Sequence, residues 1–169
     1  MTTDNGEVPA DLSPIEAALG RMVCRAGLLE AVVRETGLRL STTGDERAKF
    51  DGQPVGRLVK EIRARAESAA AAGRIPETAL TDLDDILDAI DERLESRNAY
   101  VHGIWMGRPD GTLMVMNIPR GHEKTFQVRT RPLAVKELGE LSEDLNRLAD
   151  DLYDWAERAR RRAPSARAS

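Results

Sequence analysis

Leu138-Gly139-Glu140-Leu141-Ser142-Glu143-Asp144-Leu145-Asn146-Arg147-Leu148-Ala149-Asp150-Asp151-Leu152-Tyr153-Asp154-Trp155 carries a large apolar side chain at 138, 141, 145, 148, 152 and 155, with charged residues between them. Alternating three- and four-residue steps keep all six on one face of a helix, because an α-helix turns once every 3.6 residues. The stripe predicts a helix packed along its whole length on a core. Arg158 to Arg162 place positive charge at its C-terminal end, where the helix dipole favours cations.

The same period recurs toward the N-terminus. Ser13-Pro14-Ile15-Glu16 combines an N-cap serine, a proline in the first turn and a glutamate three residues after the cap. Ile15, Leu19, Met22, Ala26, Leu29 and Val33 then form a stripe running to Gly37 or Leu40. Cys24 falls inside this pattern and reads as a small core residue. Residues 41–54, rich in Gly, Thr and Asp, read as a connecting loop. Val55, Leu58, Val59, Ile62, Ala66 and Ala69 mark a second helix, ending near Gly73. Thr81, with Asp84 three residues later, opens a third, whose seam is Leu83, Leu87, Ile90, Leu94, Arg97 and Val101. An arginine stands where this pattern calls for an apolar residue.

Between Gly103 and Pro132 the period changes to short β-branched or apolar runs, Thr112–Ile118 and Thr125–Thr130, with turns at Pro109-Asp110-Gly111 and Pro119-Arg120-Gly121. The expected fold is mainly α: an antiparallel four-helix bundle with a β-hairpin or small meander, about residues 103–132, before the last helix. One domain, 13–160, lies between flexible tails at 1–12 and 161–169.

A net charge of −4 excludes a surface coated for duplex nucleic acid and confines any RNA contact to a local cleft. One cysteine excludes a disulfide framework and a thiolate metal cluster. No apolar run spans a bilayer and no signal-peptide pattern opens the chain, so a cytoplasmic protein without a membrane partner is expected. Asp82, Asp84, Asp85, Asp88, Asp91 and Glu92 spread around the third helix and fit dipole complementarity and solvation, so no metal is assigned and no cofactor is expected. His122, in a turn beside Glu123 and Lys124, reads as solvent-facing.

The residues with chemistry to offer close the third helix: Arg97-Asn98-Ala99-Tyr100-Val101-His102-Gly103-Ile104-Trp105. Arginine holds a phosphate through a planar fork of donors, and histidine moves a proton near neutral pH. On a regular helix Asn98 and His102 share a face, while Arg97 and His102 stand about 140° apart, an angle an arginine stem can bridge. The ordinary alternative is that His102-Gly103 is a helix stop, the glycine adopting a left-handed cap, with Arg97 paired to Glu95 or to an acid from another helix. Trp105 and Trp155 read as core residues rather than base-stacking platforms.

At these residues the chain resembles the HEPN superfamily, whose signature is an arginine, usually followed by a polar residue, and a histidine a short interval later. Arg97-Asn98, with His102 after four intervening residues, fits the shorter form. The resemblance implies a helical bundle that dimerises with two motifs facing across the symmetry axis. It also implies a metal-independent endoribonuclease of a toxin, defence or stress type, with an antitoxin or other protein as a further partner. In that reading His102 is the general acid or base in attack of a ribose 2′-hydroxyl on the adjacent phosphate, and Arg97 stabilises the developing charge. Asn98 and Tyr100 bind or orient the RNA. Ile104 stands where family toxins silenced by nucleotide addition have tyrosine, so that control is not expected here. The alternative is a non-catalytic helical dimer that serves as a partner-binding module.

Overall fold

The computed structural model describes residues 13–108, 112–117, 129–132 and 134–162. The chain runs α1 (Ser13–Leu40), α2 (Gly44–Ala48), α3 (Val55–Ala71), α4 (Thr78–Val101), β1 (Ile104–Gly107), β2 (Leu113–Asn117), β3 (Arg129–Pro132) and α5 (Val135–Arg162). It is mainly helical, with a small antiparallel sheet. The two longest helices, α1 and α5, have 28 residues each, about 42 Å at 1.5 Å per residue, and they lie against one another. Helix α3 packs on α1, and α4 on α5 and α3.

The stripe that predicted α5 is what joins these helices. Leu138, Leu141, Leu145, Leu148, Leu152 and Trp155 are all buried, meeting Met22, Ala26, Leu29 and Val33 of α1 and Leu83, Leu87 and Ile90 of α4 in one apolar core. Ala18 of α1 goes inside, whereas Ile15 and Leu19 are half-buried at its margin. Cys24 is exposed, contrary to the sequence expectation. At about 100° per residue it stands roughly 200° around α1 from Met22, on the side away from the buried row.

Two local features depart from the sequence reading. Residues 41–54 are not simply a loop. Thr43 and Glu46 form a reciprocal capping box that starts the short helix α2, and Phe50 beyond it is completely buried. The Phe50 ring lies directly on Gly37, where a Cβ would overlap it, so the glycine makes room for an aromatic plug over the end of α1. Thr81 does not start a helix, because α4 already begins at Thr78, after Glu77, without a side-chain cap. Helix α3 does end near Gly73: with φ +67° that residue closes a Schellman turn, Arg74 N donating to Ala69 O (2.8 Å) and Gly73 N to Ala70 O (2.8 Å).

The sheet is a meander in the order β1-β2-β3, with Ile104 opposite Met116, Trp105 opposite Val115, and Val115 opposite Arg131. Strand β2 lies inside the expected run. Strand β1 comes from residues given no strand in the sequence reading, and β3 extends through Pro132, which a strand accepts at a sheet edge. Helix α5 continues through Arg162, two residues into the expected C-terminal tail. The expected turns at 109–111 and 119–121, the run at 125–128, His122 and the chain ends at 1–12 and 163–169 lie outside the described residues. Among the described residues no helix is long and apolar enough to cross a membrane.

Ion pairs join the outer edges of the helices: Arg39 with Glu157 (2.6 Å), Arg63 with Asp84 (2.5 Å) and Asp88 (2.6 Å), and Arg93 with Asp144 (3.1 Å). Each lies near the surface and contributes little beside the apolar core.

The segment between α1 and α3 gives two expected outcomes. Phe50→Ala is expected to lower the unfolding free energy by about 3–5 kcal/mol in urea titrations, the ordinary result of emptying a fully buried aromatic site. Glu46 is held below the usual carboxylate range chiefly by the Thr42 backbone N–H and hydroxyl, with the Thr43 N–H and Arg65 assisting. Because its folded pKa is depressed, its contribution is present above the ordinary glutamate range and disappears as pH falls through the lower folded value. Glu46→Gln therefore flattens the acid limb of melting temperature against pH.

Candidate functional site

Helix α4 presents Arg97, Asn98, Tyr100 and His102 in its last turn and at its cap. Its regular bonding ends at Val101. The His102 N–H still donates to Asn98 O (3.0 Å), but His102 has φ −104° and ψ 1°, and the chain leaves the helix there to enter β1. One terminal carbonyl of the helix finds its donor in β1: the Trp105 indole Nε1 donates to Tyr100 O (3.0 Å). Trp105 is half-buried and folds back over the helix end from which it emerges.

Gly103 is required here for a reason other than the one read from sequence. Positive φ among the described glycines occurs at Gly52 and Gly73, so Gly103 does not form a left-handed cap. It provides clearance. A Cβ at Gly103 would overlap the Val115 Cγ2 methyl and stand 2.7 Å from the Ala99 carbonyl oxygen. The glycine thus lets β2 place Val115 directly against the end of α4, seating the sheet beside His102.

The guanidinium of Arg97 turns toward its neighbour. Nη1 donates to Asn98 Oδ1 (2.9 Å), and Nη2 stands 3.9 Å from Glu30 Oε1 on α1. Nε is buried without a hydrogen-bond partner. The side chain retains 21% of its exposure, so the stem is packed while the head reaches the surface. Asn98 and His102 are both exposed. Through Asn98 the arginine head is drawn toward the face that Asn98 shares with His102, one turn further on. Among the described residues no hydrogen bond or ion pair joins Arg97 directly to His102; the link runs only as far as Asn98.

Tyr100 is placed differently. It is 4% exposed, its ring belongs to the core, and its hydroxyl donates to Glu137 Oε2 of α5 (2.9 Å). That position joins α4 to the first turn of α5 and corrects the expectation that Tyr100 contacts RNA. On a regular helix Tyr100 points about 160° from Asn98 after two 100° steps are wrapped around the axis, which removes it from the outer face. Arg97 pairs with an acid from another helix, Glu30, rather than with Glu95. The signal for Glu30 was its place beside Leu29 on α1, a carboxylate at the edge of the buried stripe. Among the described residues no group of three or more His, Cys, Asp or Glu side chains is arranged to hold a metal ion.

Comparison of the chain with protein-family models, with characterised proteins and with solved structures finds no match.

Gly103→Ala is expected to lower stability by about 1–3 kcal/mol, the usual range for overpacking a filled site. Adding Val115→Ala relieves the side-chain overlap but not the approach to the Ala99 carbonyl. The double variant therefore does not recover the parental midpoint in denaturant titrations.

Proposed function

We propose that the chain is a metal-independent endoribonuclease of HEPN type, an antiparallel four-helix bundle acting as a homodimer in the cytoplasm in a toxin, defence or stress role. The observation that carries this reading is the Arg97 Nη1 to Asn98 Oδ1 hydrogen bond of 2.9 Å, which draws a guanidinium toward the helix face that carries an exposed imidazole. Nη2 of that guanidinium has only a distant acceptor, so this nitrogen has donor capacity for an oxyanion.

In this reaction His102 removes the proton from a ribose 2′-hydroxyl, the oxygen attacks the adjacent phosphorus, and the 5′-oxygen leaves with a proton supplied by an acid, such as the second subunit's imidazole. Arg97 neutralises charge on the non-bridging oxygens as it develops. Asn98 holds the guanidinium. The products are a cyclic phosphate and a free 5′-hydroxyl, so DNA, which lacks the attacking group, resists. Glu30 sets a limit on the site: its carboxylate repels phosphate unless the incoming strand takes over Arg97 Nη2.

A second reading rests on that same carboxylate. With Glu30 beside Arg97, the pair completes an interhelix contact, and the chain is a non-catalytic dimeric module for a protein partner.

Short RNA and matched DNA incubated in EDTA with the purified chain separate the two readings. Endoribonuclease chemistry gives cleaved RNA with a 2′,3′-cyclic phosphate end, intact DNA, and a loss of about 10²–10⁴-fold in rate for His102→Ala, whose exposed position leaves the melting temperature unchanged. Intact RNA with the parental dimer, or equal cleavage by His102→Ala, overturns the proposal.

A further inference from the structure

At the opposite end of α4 from His102 the C-terminal ends of α1, α3 and α5 surround a cleft of about 240 Å³. Its walls include Leu40, Ile75, Trp155 and Ala156, and Arg39, Arg74 and Arg160 contribute cationic groups. Trp155 is fixed in orientation because its indole Nε1 donates to Ala79 O (2.9 Å). The ring therefore forms a rigid apolar wall.

Two of the three guanidinium groups already have acidic partners. Arg39 binds Glu35 (2.7 Å) and Glu157 (2.6 Å) and lies over the Tyr153 ring, while Arg160 reaches Glu157 at 3.4 Å. Arg74 has no ion pair among the described residues; one of its nitrogens, Nη1, donates to Leu40 O (3.3 Å), which holds the head at the cleft. A second polar group points to a ligand. Thr36 lines the cleft, is 2% exposed, and its hydroxyl makes no hydrogen bond among the described residues, although a helical threonine ordinarily bonds back to the preceding turn. From the cleft wall this hydroxyl can donate to an oxygen of a bound ligand.

We propose that this cleft binds a small monoanionic aromatic carboxylate. The volume selects the size: a cavity of about 150 Å³ accepts benzene, and drug-sized ligands take about 300 Å³ or more, so 240 Å³ holds one ring with a short arm. The apolar wall takes the ring against Trp155. The single uncompensated cation sets the charge, one carboxylate on Arg74, and the Thr36 hydroxyl donates to one of its oxygens. A neighbouring cleft of about 230 Å³ shares Trp155 and Ala159 but is lined by Asp82 as well as Arg158, so a carboxylate there would face an acid beside the cation. From Ala79 to His102 the helix rises about 35 Å, so the carboxylate site is independent of the proposed RNA site.

The test is calorimetric titration of the full chain with 3-phenylpropionate, 3-phenylpropanamide and phenyl phosphate, with indole N–H resonances followed by NMR. The carboxylate is expected to bind saturably and to move the Trp155 indole signal but not that of Trp105. The neutral amide and the phosphate bind at least about tenfold more weakly. Arg74→Met weakens the carboxylate by at least about tenfold, Arg74→Lys retains part of the affinity, and Thr36→Val weakens it about three- to tenfold with the fold intact. No saturable binding up to about 10 mM, equal binding of the amide, an affinity unchanged in Arg74→Met, or a shift confined to Trp105 overturns the proposal.

Discussion

The fold depends on the burial of one face of α5. Its leucine row and Trp155 lie against α1 along most of two helices of 28 residues each, and α4 enters the same apolar volume from the other side. Burying a leucine contributes about 1.5–3 kcal/mol, so this contact outweighs the surface ion pairs that border it. Helix α3 joins through its small residues: Ala66 and Ala69 are completely buried, allowing its backbone to come close without a bulky side chain between. Three aromatic residues at the core have their polar groups satisfied. Trp155 and Trp105 use their indole N–H groups on backbone carbonyls near the two ends of α4, and Tyr100 fastens that helix to the start of α5.

Long elements were legible in the sequence because a helix repeats its buried position often enough for chance to average out. The α5 stripe, the inner face of α3 and the seam of α4 through Leu94 are where periodicity predicted them. What escaped were features decided by a single residue or by contacts distant in sequence. The Thr43–Glu46 capping box starts a helix of only five residues, too short to display a period. Phe50 lies in a polar segment and becomes core only because Gly37 makes room for it. Cys24 looked internal because it sits in an apolar stretch, yet its angle around α1 places it outside.

The candidate site divides along the same line. Arg97, Asn98 and His102 could be picked out because their spacing along α4 is a local property. Tyr100, two residues from Asn98, was grouped with them by proximity in sequence, whereas its angle sends it into the core. Glu30 and the cleft beside Trp155 depend on which helices come together. Thr36, Arg74 and Trp155 belong to three different segments, and no spacing rule brings them side by side.

Only His102 and Gly103 separate α4 from β1, and Val115 in the next strand presses on that junction. So short and tightly filled a joint leaves little slack between sheet and helix. The meander is in effect a handle on the final turn of α4: through Val115, which is both core and neighbour of Gly103, a displacement of the strands is felt at the helix end and in the interior together.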